Sequence, residues 1–173
     1  MTSDIFKYII SFFFLLFLQI FILNNIQLSG YINPYLYILF VMMLPFSTPI
    51  WVLLISGFLM GFAIDLFSDT MGLHAATTVL LAFIRKSVLN LFSPREGYES
   101  NTAPSLYYLG FGWYIWYAGI MVVVHHFTFF MLEAFRIQEF PFTIIRIASS
   151  SALTLALILL YQYLIYKPRS LKS

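Results

Sequence analysis

The sequence predicts an all-α polytopic membrane protein, with about six transmembrane helices in one domain that covers residues 1–173. Hydrophobic residues make up 61% of the chain and charged residues only 9%, whereas a soluble domain carries about 25% charged residues. Apolar runs that approach the roughly 20 residues needed to cross a bilayer recur along the chain. The net charge of +2 is too small to indicate nucleic-acid binding, and the lack of cysteine excludes disulfides and thiolate metal sites.

Six apolar segments are the candidate transmembrane helices. They cover roughly residues 6–24, 31–47, 49–67, 72–90, 113–132 and 142–165. We expect the first to be a retained helix, because its apolar run is too long for a signal peptide and no small-residue cleavage site follows it. The second is the weakest, since Pro34 can open a helix but Pro45 breaks it after about 18 Å. A short, kinked or re-entrant helix would also fit there.

Positive charges favour cytoplasmic N- and C-termini if all six segments cross the membrane. Seven basic residues then lie on the cytoplasmic side and one, Arg136, lies in an outer loop. If the second segment does not cross, the ratio becomes six to two, so charge favours six crossings only mildly. On this topology residues of about 91–112 form a cytoplasmic loop, and Arg85 and Lys86 extend toward lipid headgroups.

Two of the seven acidic residues, Asp65 and Asp69, lie one helical turn apart at the end of the third segment. A carboxylate at membrane depth costs about 2.5–3.5 kcal/mol, and a helix C-terminus disfavours an anion. One interpretation is that Asp65 reaches water while a polar residue among 68–70 caps the next helix. The other is that one of the two aspartates pairs with Arg146 or Arg136 and ties the third helix to the sixth.

The three histidines fall in the predicted outer half of the protein: His74, His125 and His126. Adjacent residues on a helix point about 100° apart, so His125 and His126 are poorly placed to chelate one ion. We therefore expect no metal site. We expect one of these two histidines to bond a neighbouring helix and the other to face the membrane interface.

The third segment also carries a stripe of small residues. Gly57, Gly61 and Asp65 fall at positions i, i+4 and i+8 and therefore share one helix face. Small residues at this spacing let another helix approach closely, either within the chain or from a partner. The motifs of common hydrolases, metalloproteases and nucleotide-binding loops are missing, so we expect neither an enzyme nor a bound cofactor.

The middle of the chain resembles a known family. The residues that carry the resemblance are Leu44–Pro49, the run from Gly57 to Asp65, residues 67–76 and the loop motif of residues 93–99. They resemble the rod-shape-determining MreD family, in particular its Bacteroidetes form. The length and the hydrophobic profile match along essentially the whole chain, and the sharpest motifs cover about 55 residues.

The resemblance implies a non-enzymatic, multi-pass subunit of the bacterial inner membrane that supports peptidoglycan synthesis and rod shape. Members of that family associate with an MreC-type protein, and through it with the MreB cytoskeleton, the RodA glycosyltransferase and a penicillin-binding transpeptidase. On this basis Gly57, Gly61, Asp65, Asp69, Gly72 and His74 are motif positions expected to shape packing or partner contact. Arg146 joins them through the pairing hypothesis.

The family is also similar in fold to the substrate-binding subunits of energy-coupling-factor vitamin transporters, which gives an alternative function. Those subunits dock their energising module through alanines at helical spacing in the first helix. The first segment here lacks such alanines. We therefore favour the scaffold function, and keep small-molecule transport as the alternative because the outer polar residues could line a pocket.

Overall fold

The computed structural model describes residues 2–26, 31–134 and 140–165, and over these ranges it contains helices and loops but no strand. In chain order the helices are α1 (Thr2–Phe17), α2 (Leu39–Met42), α3 (Ile50–Ser68), α4 (Leu73–Leu91), α5 (Leu106–Leu109), α6 (Phe111–Ala134) and α7 (Phe140–Ile165). Four helical stretches are long and apolar enough to cross a membrane: Ile5–Asn25, Ile50–Ser68, Phe111–Ala134 and Pro141–Leu164. The all-α prediction is confirmed, and these stretches agree with a membrane protein.

The turn between α3 and α4 marks one end of the molecule, called the hairpin end below. Residues 92–105 mark the opposite end, called the loop end. At the hairpin end the Asn24 amide, just after α1, donates a hydrogen bond of 2.9 Å to Ser68 Oγ at the end of α3. At the loop end the backbone N–H of Phe46 donates to Thr102 O at 2.9 Å. α1 and α3 therefore both run from the loop end to the hairpin end.

α1 packs through large side chains and leaves much of its surface free. Its ring contacts include an edge-to-face pair between Phe12 and Phe40, with centroids 5.2 Å apart. After Phe17 the helix continues as a π turn (Leu18–Ile22) and then a short 3-10 turn (Leu23–Asn25). A π turn shifts the register of a helix by one residue and is frequent at functional positions.

The prediction of one continuous second helix over residues 31–47 is wrong. The alternative of a short helix in this segment is closer to the structure. Residues 31–35 are not helical, and the helix that follows ends before Pro45. It consists of a 3-10 turn (Leu36–Ile38) and the four residues of α2, and the two together are called the core helix. All side chains of the core helix are buried, so it lies inside the bundle rather than at its surface.

The other predicted helices lie close to their observed positions. The segment predicted at 72–90 is α4, but it is not among the four most apolar stretches, since it carries threonines and two basic residues. The segment predicted at 113–132 is part of the longer α6. The predicted loop of about 91–112 contains the one-turn helix α5, capped by Ser105 Oγ, which accepts a hydrogen bond from Tyr108 N at 3.2 Å.

The loop end is held together by aromatic contacts. The rings of Phe46 and Tyr98 stack with centroids 4.2 Å apart, and the Tyr98 hydroxyl donates to Leu89 O at 2.8 Å. The Trp113 indole N–H donates to Phe92 O at 2.9 Å. Partial burial raises the pKa of the Tyr98 phenol above its usual value, against the smaller lowering effect of a hydrogen bond from Trp113.

Candidate functional site

Asp65 at the hairpin end binds the N-terminus of the following helix. Its carboxylate accepts hydrogen bonds from the backbone N–H of His74 at 3.0 Å and of Ala75 at 2.8 Å. The Thr70 hydroxyl donates a third bond at 2.5 Å. These two N–H groups belong to the first turn of α4, where the helix dipole favours an anion. Asp65 is 6% exposed, so its charge is compensated by backbone rather than by water or a cation.

The expected pairing of Asp65 or Asp69 with Arg146 is therefore wrong. Arg146 instead forms an ion pair of 3.0 Å with Glu133, and its guanidinium lies 4.6 Å from the centroid of the Phe130 ring. This ion pair joins the end of α6 to the start of α7. Arg146 therefore connects two helices, but these are the fifth and sixth predicted helices and not the third and sixth. Arg136 lies outside the described residues.

The turn between α3 and α4 has an unusual backbone. Asp69, Met71 and Gly72 have φ angles of 54°, 48° and 90°, values that cost little for glycine and more for other residues. Gly72 is the N-cap of α4 but has no side chain to accept a capping hydrogen bond. No side chain of residues 68–70 makes this bond either, in contrast to the interpretation in which one of them caps the helix. The turn thus brings α4 back steeply enough for Asp65 to do the capping. Met71 at its tip is 99% exposed.

Gly57 and Gly61 face α4. A Cβ atom on Gly57 would lie 2.9 Å from Thr78 O, and one on Gly61 would lie 2.6 Å from both the N and the Cα of Ala75. Both distances are far shorter than normal carbon contacts. The glycine stripe is therefore occupied within the chain, so it is not an open surface for a partner.

The histidines form part of a buried hydrogen-bond network. The Tyr37 hydroxyl lies 2.8 Å from His74 Nδ1 and 2.9 Å from His125 Nε2, and Thr77 Oγ1 lies 3.2 Å from the same Nε2. The Thr77 hydroxyl has its own acceptor in Leu73 O at 2.8 Å. His125 Nε2–H is thus best placed to donate to both hydroxyl oxygens, and the Tyr37 O–H to donate to His74 Nδ1.

His126 belongs to a second chain of bonds. The Tyr35 N–H donates to Thr154 Oγ1 at 3.0 Å, and Thr154 Oγ1 lies 3.0 Å from His126 Nε2. His126 Nδ1 lies 2.9 Å from Val122 O and must donate there, since a carbonyl only accepts. Both His125 and His126 are buried, so the expectation that one of them faces the membrane interface is wrong.

Gln19 supports the core helix at its N-terminus. Its Oε1 accepts from the backbone N–H of Leu36 at 2.9 Å and of Tyr37 at 3.4 Å, and its Nε2 donates to Pro34 O at 2.9 Å. Inside a membrane, every backbone polar group needs a partner from the protein. Gln19 was not among the predicted site residues, although an amide inside a first segment of mostly Phe, Leu and Ile is a visible signal.

Two side chains donate hydrogen bonds to backbone carbonyl groups at the C-terminal end of the core helix. The Tyr117 hydroxyl donates to Met42 O at 3.0 Å, and the Arg85 guanidinium donates to Leu44 O. Arg85 is 1% exposed, so the expectation that it extends to lipid headgroups is wrong; Lys86 beside it is exposed. The break before Pro45 was the signal for this, because it leaves carbonyl groups without intrahelical donors.

A polar cleft opens beside the histidine network at the hairpin end. Its volume is about 310 Å³, and its lining includes Asn33, Tyr35, His74 and Glu133. Within the described residues, no three His, Asp or Glu side chains are placed to hold a metal ion together. The cleft therefore offers amide, hydroxyl, imidazole and carboxylate groups next to aromatic rings, a combination that suits a small polar molecule.

A larger, mostly apolar groove of about 680 Å³ lies between α1 and the α3 side of the molecule, toward the loop end. Its walls include Phe12 and Phe13 from α1 and Val52, Ser56 and Leu59 from α3. Unlike the glycine stripe, this groove is open, and α3 contributes apolar side chains to its wall.

Searches of protein-family models, curated proteins and solved structures find no match to this chain.

Proposed function

We propose that the protein is a non-enzymatic membrane scaffold subunit of the cell-elongation machinery. It binds an MreC-type partner and thereby supports peptidoglycan synthesis, with indirect links to MreB, RodA and a penicillin-binding transpeptidase. The sequence resemblance to the MreD family motivates these partner names. The apolar groove between α1 and α3 is the single structural observation that carries the docking function.

The groove fits one membrane helix of a partner. Helices in lipid associate through close packing rather than through a hydrophobic driving force, so a concave surface with small residues favours a helix as its occupant. Ser56, Ser47 and Thr48 supply small, polar positions among the aromatic walls. The resemblance to the MreD family implies an MreC-type partner with a membrane helix, and this is the occupant to which we commit.

The tip of the α3–α4 turn provides a second contact. Met71, Phe67 and Leu66 are 99%, 65% and 67% exposed at the hairpin end. Methionine adapts its shape to varied partners, and exposed apolar tips are common at binding surfaces. In the proposed topology this tip faces the base of the partner's outer domain, while residues 93–104 face the cytoplasm.

The proposal includes a membrane arrangement. The protein lies in the bacterial inner membrane with both termini cytoplasmic, so the loop end is cytoplasmic and the hairpin end is outside. α4 and the segment that contains the core helix cross together with the four apolar stretches, which gives six crossings. Among the described residues, Lys7, Lys86 and Arg95 would then lie on the cytoplasmic side, as the positive-inside rule favours.

Site-specific photocrosslinking tests the groove. A photoreactive amino acid replaces Leu59, which is 50% exposed on the groove wall, and a matched control replaces Phe83, which is 64% exposed on α4. We expect a crosslink to a single-pass MreC-type protein from position 59 and none from position 83. Affinity purification of the tagged protein in mild detergent should recover the same partner together with wall-synthesis enzymes. Equal crosslinking from both positions, or no such partner, would contradict the proposal.

The polar cleft favours one second candidate function, that of a substrate-binding subunit of a small-molecule transporter. Its volume of about 310 Å³ is at the lower end of ligand pockets. Recovery of an ATPase coupling module, or of a vitamin-sized molecule released from the purified protein, would favour this candidate over the scaffold. Substitution of His74 should then weaken ligand binding, because His74 lines the cleft.

A further inference from the structure

Arg85 is a buried cation without an anionic partner among the described residues. Its guanidinium donates to Leu44 O, lies beside the Tyr117 hydroxyl and leaves its Nε with no hydrogen-bond partner. A buried charge is costly unless another charge compensates it. The only ion pair between described side chains joins Arg146 to Glu133, at the opposite end of the molecule.

A cavity of about 400 Å³ lies next to Arg85 at the loop end. Arg85 and Lys86 are its basic lining residues, Ser47, Thr48 and Tyr98 its hydroxyl-bearing ones, and most of the others, including Leu53 and Leu89, are apolar. No carboxylate side chain contributes to this lining. The cavity thus combines two basic residues and three hydroxyl-bearing residues with an apolar wall.

The start of α3 adds a further positive element to the same cavity. Pro49 is the N-cap of α3, and no side chain caps this helix. Ile50, the first residue of α3, lines the cavity. The N–H groups of Val52 and Leu53 already donate to Pro49 O. Those of Ile50 and Trp51, together with the helix dipole, are therefore the ones that favour an anion.

We infer that this cavity binds the phosphate of an anionic phospholipid. The phosphate lies between Lys86 and the first turn of α3, where the positive charge of the nearby Arg85 also attracts it. An acyl chain of the lipid follows the apolar wall along Leu53. Basic pockets between membrane helices on the cytoplasmic side are known binding sites for anionic headgroups. The lipid would supply the counter-charge that the described part of the chain does not give Arg85.

Native mass spectrometry of the purified full-length protein tests this inference. The probes are dioleoyl phosphatidylglycerol, which is anionic, and dioleoyl phosphatidylcholine, which is zwitterionic. We expect saturable binding of the first lipid, at least five-fold tighter than that of the second. Equal affinities for both lipids would overturn the inference, because the proposed site recognises net negative charge.

Charge-reversal variants locate the site. Lys86→Glu changes an exposed residue in the cavity lining, and Arg95→Glu changes an exposed residue at the same end but outside that lining. We expect Lys86→Glu to weaken phosphatidylglycerol binding at least five-fold and Arg95→Glu to leave it within two-fold. Equal effects of the two variants would mean that general surface charge, and not this cavity, binds the lipid.

Two further measurements separate a lipid from other phosphates and from a folding defect. Inorganic phosphate at millimolar concentration should not displace the bound phosphatidylglycerol, and its displacement would overturn the assignment to a lipid. Arg85→Gln keeps a hydrogen-bond donor on the side chain but removes the charge. If it elutes as a monodisperse protein, it should lose the preference for phosphatidylglycerol, and a retained preference would exclude a role of Arg85.

Discussion

Replacing Gly61 with alanine is the sharpest test of the α3–α4 packing. The added Cβ would meet the carbonyl oxygen of His74 and would lie 2.6 Å from the N and Cα of Ala75. All three are backbone atoms, which cannot rotate away as a side chain can. To restore an ordinary contact of about 3.4 Å to all three atoms, α4 must move away from α3 by about 1 Å at this point.

This displacement also weakens the bonds made by Asp65, which lies one helical turn after Gly61. Its two acceptor contacts are to the N–H groups of His74 and Ala75, in the same part of α4. Overpacking costs about 1–3 kcal/mol, and each hydrogen bond to a charged group contributes about 1.5–3 kcal/mol. With the bonds stretched rather than lost, we expect Gly61→Ala to destabilise the protein by about 2–4 kcal/mol.

The assay is thermal unfolding in a mild detergent, followed as the loss of monodisperse protein. For a chain of this length, about 2–4 kcal/mol corresponds to a decrease in Tm of roughly 4–16 °C. Gly57→Ala should give a smaller decrease, since its Cβ would lie 2.9 Å from the nearest atom. Gly119→Ala in α6 is the matched control, because no atom lies within 4 Å of its added Cβ. A Gly61→Ala protein that unfolds at the same temperature as the Gly119→Ala protein would refute the reasoning.

Three further substitutions test the buried polar contacts by the same thermal assay. Asp65→Asn removes the charge from the N-terminus of α4 and should lower the free energy of unfolding by about 1.5–3 kcal/mol. Asp69→Asn, at an exposed position, should change the Tm little. Similar effects of the two variants would argue against the capping role of Asp65. Gln19→Leu leaves two N–H groups and one carbonyl group of the core-helix segment unpaired, so we expect a loss of at least about 1–3 kcal/mol, and a stable variant would mean that water replaces the amide. Tyr37→Phe removes the hydroxyl between two histidine rings and should cost about 1–3 kcal/mol, whereas an unchanged Tm would show that the network contributes no stability.

The sequence predicted those features that depend on local spacing. The length of the apolar runs indicated the long helices, and the i, i+4 spacing of Gly57 and Gly61 indicated a face for close helix packing. The partner of Asp65 could not be predicted in this way. It depends on the path of the turn, where Asp69, Met71 and Gly72 all adopt positive φ angles, and sequence alone favours this only at the glycine.

The burial of Arg85 was hidden for a related reason. Next to Lys86, near a predicted membrane boundary, an arginine is expected to extend to the lipid headgroups. Its true acceptor, Leu44 O, is available only because the core helix stops before Pro45 and lies within reach of α4. This contact joins two features that lie 41 residues apart in the sequence, a helix that ends before a proline and a buried cation. Neither feature alone indicates the other.

The way in which the core helix is held has a consequence for biosynthesis. The segment before it takes two of its hydrogen-bond acceptors from α7: Asn33 N–H donates to Ser150 Oγ, and Tyr35 N–H donates to Thr154 Oγ1, each at 3.0 Å. The ribosome makes α7 more than 100 residues later. Until then these two N–H groups lack their acceptors in α7, so the segment reaches its final packing only after α7 has been made. Folding of this protein is therefore not strictly sequential along the chain, and nascent chains that stop before α7 should be cleaved by proteases in this segment.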